Sequence, residues 1–173
     1  RLAQARQLHA RMPACWETWG YLATELADAG HLDEAWSVLD AASQRFSLLP
    51  RIWLERAHLA RARNDGDAEK ASLRRALELS PGWDRAVGAL ASFHVRKGAL
   101  QRARELLEQA VANEPANPGF HGRLGGVLVK QREDAAALER FARSVELDPT
   151  SSWTWEQYLD LGRRMAAWRR SGG

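Results

Sequence analysis

The sequence predicts an all-α solenoid: antiparallel helix pairs stacked as about four full 34-residue repeats, with half-repeats at both ends. Three observations carry this. First, separate columns of residues keep one period of 34: Ala23, Ala57, Ala91 and Gly125; Leu39, Leu73, Leu107 and Phe141; Ala42, Ala76, Ala110 and Ser144. Self-similarity at this length marks stacked supersecondary units, each too small to bury its apolar face alone. Second, the period inside a unit is helical. Val87, Leu90, Ala91 and His94 fall at i, i+3, i+4 and i+7, and Leu100, Ala103, Leu107, Ala110 and Val111 follow Gly98 in the same way. Third, Leu, Ala, Arg and Glu dominate and β-branched residues are few, a mixture that favours helix over sheet.

The elements follow in order. Residues 1–15 have the phase of a second helix from a truncated repeat. The full repeats run 16–49, 50–83, 84–117 and 118–151, and residues 152–170 form a terminal first helix. Pro13, Pro81, Pro115 and Pro149 punctuate the repeats, with Ser47 in the remaining place. Gly30, Gly98 and Asn64-Asp65-Gly66 supply the turns inside pairs, and Asn117-Pro118 reads as an N-cap followed by proline in the first helical turn. The second repeat is the irregular one. Arg56 and Glu69 stand where an apolar and a small residue are expected, which predicts a rearranged inner turn. Trp19, Trp53 and Trp155 share one phase and are expected in the core, whereas Trp16, Trp83 and Trp153 lie near repeat junctions. The chain begins at Arg1 rather than Met and reads as a piece of a longer protein, its final Ser171-Gly172-Gly173 as a linker or cloning remnant.

Individual residues carry a family resemblance. Trp19, Leu22, Ala23, Gly30, Ala35, Leu39 and Ala42 follow the W-x2-L-G…G…A-x3-F-x2-A pattern, with Ala for the first Gly and Leu26 for a Tyr. Leu90, Ala91, Gly98, Ala103, Leu107, Ala110 and Pro115 repeat it, as do Leu124, Gly125, Ala137, Phe141 and Pro149; Val87 and His121 replace the Trp. The chain therefore resembles the tetratricopeptide repeat family over about residues 1–168. The resemblance implies a concave binding face lined by the first helix of each pair. Carried over by phase, that face takes Tyr21 beside Gly20 and Thr24; Arg51, Leu54, Glu55 and His58; Arg85, Gly88, Ser92 and Arg96; and Gly122, Arg123, Gly126 and Lys130.

The arginines and Lys130 in this row point to an acidic or carboxylate-bearing peptide, and the small residues leave room for a helix or aromatic anchor. A competing reading makes the same arginines an ordinary solvated face. The Asn and Lys positions of the family's chaperone-tail clamp hold Gly20 with Thr24, Leu54 with His58, and Gly88 with Ser92, so that ligand is not expected.

The sequence points to a scaffold rather than an enzyme. The five histidines form no i, i+4 pair and have no cysteine partners, so no metal or cofactor is expected. A net charge of +3 without a long basic run does not point to nucleic acid, and no apolar stretch reaches the ~18 residues of a membrane span. The expected partner is a protein or peptide, including other domains of the parent chain. Two other readings stand beside this. The stretch from Trp153 to Tyr158 resembles the half-repeat variant of RNA-processing scaffolds, and the chain could also position a substrate within a larger enzyme. No targeting signal assigns a compartment; the reading favours cytoplasm over secretion.

Overall fold

The computed structural model describes residues 1–170, with only the backbone of Arg169 considered; residues 171–173, read above as a linker, lie outside the described residues. Ten helices occur among the described residues and no strand. They are α1 (Leu2–Arg11), α2 (Trp16–Asp28), α3 (Leu32–Arg45), α4 (Pro50–Ala62), α5 (Gly66–Leu79), α6 (Asp84–Arg96), α7 (Leu100–Asn113), α8 (Pro118–Lys130), α9 (Asp134–Leu147) and α10 (Ser152–Arg170). The first helices α2, α4, α6, α8 and α10 start 34 residues apart, and so do the second helices α3, α5, α7 and α9. The all-α solenoid class follows directly from this register.

Two compact units divide the chain, Arg1–Ala86 and the part from Val87 onward. In the first, α1 packs on α2, α2 on α3, α3 on α4 and α4 on α5, with a further contact between the first helices α2 and α4. Its core gathers Ala5, Leu22, Ala23, Leu26, Ala35, Leu39 and Leu59, flanked by Trp36 and Val38. In the second unit α7 packs on α8, α8 on α9 and α9 on α10. There Phe120, Leu124, Phe141 and Leu161 are among the fully buried side chains.

The small column is a packing device. A Cβ built on Gly125 would lie 2.8 Å from Cε1 of Phe141, so glycine at 125 is what admits the phenylalanine ring. Ala23 with Leu39 fills the corresponding space of the first unit with a larger small residue and a smaller large one.

The inner turns are alike in all four pairs, and the expected rearrangement in the second repeat does not occur. Gly30 (φ 83°), Asn64 (φ 60°), Gly98 (φ 71°) and Arg132 (φ 64°), spaced by 34, all adopt the left-handed conformation. Asparagine tolerates it through its short polar side chain; arginine does so at a cost of about 1–2 kcal/mol. The next residue in the second repeat, Asp65, caps α5 by accepting a hydrogen bond from the Ala68 amide at 3.0 Å.

The aromatic column has a second task besides packing. The indole Nε1–H of Trp19 donates to the Pro13 carbonyl, that of Trp53 to the Ser47 carbonyl and that of Trp155 to the Pro149 carbonyl, each at 2.9 Å. His121, in the same column, places Nε2 2.9 Å from the Pro115 carbonyl; since a carbonyl only accepts, Nε2 carries the proton. Each bond ties the start of a first helix to the connector before it. The expectation of three core tryptophans needs correction: Trp19 and Trp53 are half-buried, and Trp155 is 38% exposed. Trp19 is covered by His9 at 4.4 Å and by Phe46, the residue that follows α3, at 6.2 Å, and among the described residues α10 has no second helix to supply such a cover.

Candidate functional site

Between α2 and α4 lies a cleft of about 240 Å³, floored by Ala23, Ala27, Leu39 and Leu59. Gly20 and Thr24 form its α2 wall, His58 and Ala62 its α4 wall, and the carboxylates of Asp28 and Glu55 stand at its rim. Gly20 has nothing within 4 Å of where a Cβ would project, so its lack of a side chain directly widens the opening. Thr24 turns its hydroxyl back to donate to the Gly20 carbonyl at 2.9 Å.

The electrostatics of this cleft centre on Glu55. Its carboxylate accepts a hydrogen bond from Arg51 Nε at 2.6 Å, one helical turn away, and faces the His58 ring nitrogen at 3.6 Å. His58 makes the largest contribution to holding the Glu55 pKa below the ordinary glutamate range; Arg51 adds to it, and burial works against both. A depressed carboxylate pKa gives stability that is present above the unfolded value and lost as pH falls through the folded one. Glu55→Gln should therefore remove up to about 1 kcal/mol at neutral pH. It should also leave a smaller loss of stability below about pH 4.3, measured by urea unfolding at several pH values.

The other residues of the expected row separate into groups. Tyr21, His58, Arg85, Ser92, Arg96 and Lys130 are exposed. Arg51 is half-buried and already neutralised by Glu55, so it is not an available anion receptor. Leu54 was expected to face outward and is buried at 1% exposure. The reason is that α4 is covered by α2, α3 and α5, so Ile52, Leu54, Ala57, Leu59 and Ala60 are buried around a wide arc.

Two glycines expected to open the face are likewise covered. A Cβ on Gly88 would fall 2.6 Å from Cζ of Arg123, whose half-buried guanidinium lies across that backbone. A Cβ on Gly122 would lie 3.1 Å from the Trp153 ring and 3.2 Å from Ser144 Oγ. Gly126 alone among these glycines has open space before it.

A second recess, about 160 Å³, opens beside Gly122 and Arg123 of α8 and runs to Asp148, Ser151 and Trp153. Its hydroxyl groups are paired: Ser144 donates to the Pro118 carbonyl at 2.8 Å, and Ser151 and Thr154 pair at 2.9 Å. Ala27, Asp28 and Ala62 of the first cleft escaped the reading of the sequence. The signal was available, because Asp28, Ala62, Arg96 and Lys130 occupy one phase at the last position of each first helix. Among the described residues no group of three or more His, Cys, Asp or Glu side chains is placed to hold a metal ion. Nor is any helix of the described residues long and apolar enough to cross a membrane.

Comparison with known proteins places the chain among helical-repeat proteins. A tetratricopeptide repeat family model matches residues 94–154. The chain is similar to human tetratricopeptide repeat protein 7B, 29% identical over 136 residues, covering 78% of this chain and 16% of that protein. It is also similar to cellulose synthase operon protein C of Pseudomonas fluorescens, 30% identical over 123 residues, covering 65% of this chain and 10% of the relative. The chain thus spans a sixth or less of the length of these curated relatives. Among solved structures, a thermophilic TPR protein of Thermus thermophilus superposes with a TM-score of 0.73 at 16% identity, over 92% of this chain and 88% of the other.

Proposed function

The chain belongs to the tetratricopeptide repeat family, and on that premise we propose that it is a protein-interaction scaffold holding a partner segment in the α2–α4 cleft. The observation that carries the reading is the cleft itself: an apolar floor of alanine and leucine side chains, an open glycine at the lip and carboxylates at the rim. Such a floor accepts one apolar or aliphatic anchor from a partner, and a few buried anchors supply most of the energy of peptide recognition.

The charge preference differs from that of a uniformly basic groove. Glu55 is balanced by Arg51, so the charge preference of this cleft comes from Asp28, which disfavours an acidic anchor and favours a basic residue whose aliphatic stem lies on Ala27 and Leu59. The preference for acidic ligands is kept for the exposed Lys130 of α8. No catalytic constellation is part of this proposal.

The test is a displayed peptide library selected on the chain and then measured against Gly20→Trp. That indole would enter the cleft, and the open space before Gly20 lets it do so without disturbing the helix. Selected peptides should bind the variant at least about tenfold more weakly, a loss of about 1.4 kcal/mol. Equal affinity for both proteins, with helical content unchanged, would remove the cleft as the binding site.

A further inference from the structure

We propose that Leu48 is a docking knob for the α2–α4 cleft of a second copy of this chain. This occupancy rests on the reading of that cleft as a binding site and names what fills it. Leu48 stands in the connector between α3 and α4, inside the first unit and with a complete helix pair on either side. It is 76% exposed, the most exposed large apolar side chain among the described residues.

The turn that presents Leu48 is held at two points. The Leu49 amide donates to the Phe46 carbonyl at 2.9 Å, which closes a four-residue turn with Ser47 and Leu48 at its corners. The Trp53 indole donates to the Ser47 carbonyl at 2.9 Å and ties that turn to α4. Among the described residues every connector leading into a first helix has the same turn: the amides of Cys15, Trp83, Asn117 and Ser151 donate to the carbonyls of Met12, Ser80, Glu114 and Asp148. The corner that Leu48 occupies holds Ala14, Gly82, Ala116 and Thr150 in those connectors, and all four are exposed. The fold therefore asks for nothing large at this place. A leucine fixed there in water gains its burial only in a complex, and a preorganised turn loses little freedom on docking.

The cleft supplies the complement. Its floor of Ala23, Ala27, Leu39 and Leu59 accepts an aliphatic side chain, and Gly20 leaves the lip open. Charge agrees as well. Asp28 at the rim is exposed and paired with no cation among the described residues. Arg45, three residues before Leu48, is exposed and paired with no carboxylate among them; its guanidinium lies 5.8 Å from the centre of the Phe46 ring. One short segment thus offers an aliphatic anchor and a cation, and the cleft offers an apolar floor and a carboxylate. A contact centred on one leucine is small, so the association should be weak.

Sedimentation up to about 1 mM protein tests this with complementary variants. Leu48→Glu removes the knob and keeps the cleft, whereas Gly20→Trp fills the cleft and keeps the knob. Circular dichroism checks that both fold. Leu48→Ala copies Ala14 and Ala116, so the turn already accommodates it. The unmodified chain should gain mass with concentration, and Leu48→Ala should weaken that gain at least about tenfold. Leu48→Glu and Gly20→Trp should each stay monomeric alone. Their equimolar mixture should form a dimer of one copy of each, because the knob of one fits the cleft of the other. An unmodified chain that stays monomeric throughout overturns the proposal, as does self-association that survives either variant or a mixture that does not associate. Selected peptides that bind the unmodified chain but not Gly20→Trp would still leave the cleft a binding site, so the two readings fail separately.

Discussion

Replacing Gly125 by alanine should destabilise the second unit by about 1–3 kcal/mol, and adding Phe141→Leu should restore most of that loss. The new methyl group would sit 2.8 Å from the Phe141 ring, a distance that real Cβ contacts do not show. Phe141 is 1% exposed and edge-on to the Trp153 ring at 6.3 Å, so it has little freedom to withdraw. Phe141→Leu alone leaves a void beside glycine and should cost about 1–1.5 kcal/mol. Together the two substitutions recreate the Ala–Leu pairing that the other three repeats hold at Ala23 and Leu39, Ala57 and Leu73, and Ala91 and Leu107. The double variant should therefore lie within about 1 kcal/mol of the original chain, with a coupling energy of at least about 1 kcal/mol. Because stacked repeats do not unfold as one cooperative block, hydrogen exchange of the α8 and α9 amides is the measurement to pair with urea unfolding. Additive losses would show that the two columns do not compensate each other.

The same pair of columns shows what was legible in the sequence. A residue that must be small because another helix backbone approaches it, and its large neighbour, recur at a fixed spacing, so helix register could be read from Ala23 to Phe141. The direction in which each first helix faces could not be read as well. Leu54 and Gly88 share the phase of the half-buried Gly20, but what covers them depends on neighbours far away in sequence: several helices around α4 in one case, the Arg123 side chain in the other. Arg51 looked like a free cation until Glu55, four residues on, proved to be its partner at 2.6 Å. That spacing was itself a signal for pairing along a helix. The turn at Asn64 was legible in a different sense: the position calls for a left-handed backbone rather than for glycine, and Asn64 and Arg132 both comply. Trp155 was misplaced because its column was judged by packing alone, whereas its hydrogen bond to the Pro149 carbonyl survives without burial.

Replacing Arg56 by alanine should destabilise the first unit by breaking several interactions at once. It stands in a column that holds Leu22, Leu90 and Leu124 in the other repeats, and it replaces apolar packing with three interactions. Its guanidinium lies 4.7 Å from the Trp36 ring centre and 5.5 Å from that of Trp53, and it donates to Asp40 at 2.8 Å. Stacking on two indoles at a half-buried site and one charged hydrogen bond lead to an expected loss of about 2–3 kcal/mol for Arg56→Ala. Part of that comes from the aliphatic stem, which packs as well as carrying charge. Arg56→Lys should recover less than half, because an ammonium group has no planar face to lay on Trp36. Arg56→Leu should come within about 1 kcal/mol of the original, since it removes a buried Nε that has no hydrogen-bond partner and leaves Asp40 exposed enough to be hydrated. The order leucine, lysine, alanine from most to least stable, read by urea unfolding together with the tryptophan emission of Trp36 and Trp53, is the result that fits a column built for apolar packing. If lysine instead equals arginine, the ion pair with Asp40 rather than the indole sandwich holds α3 to α4.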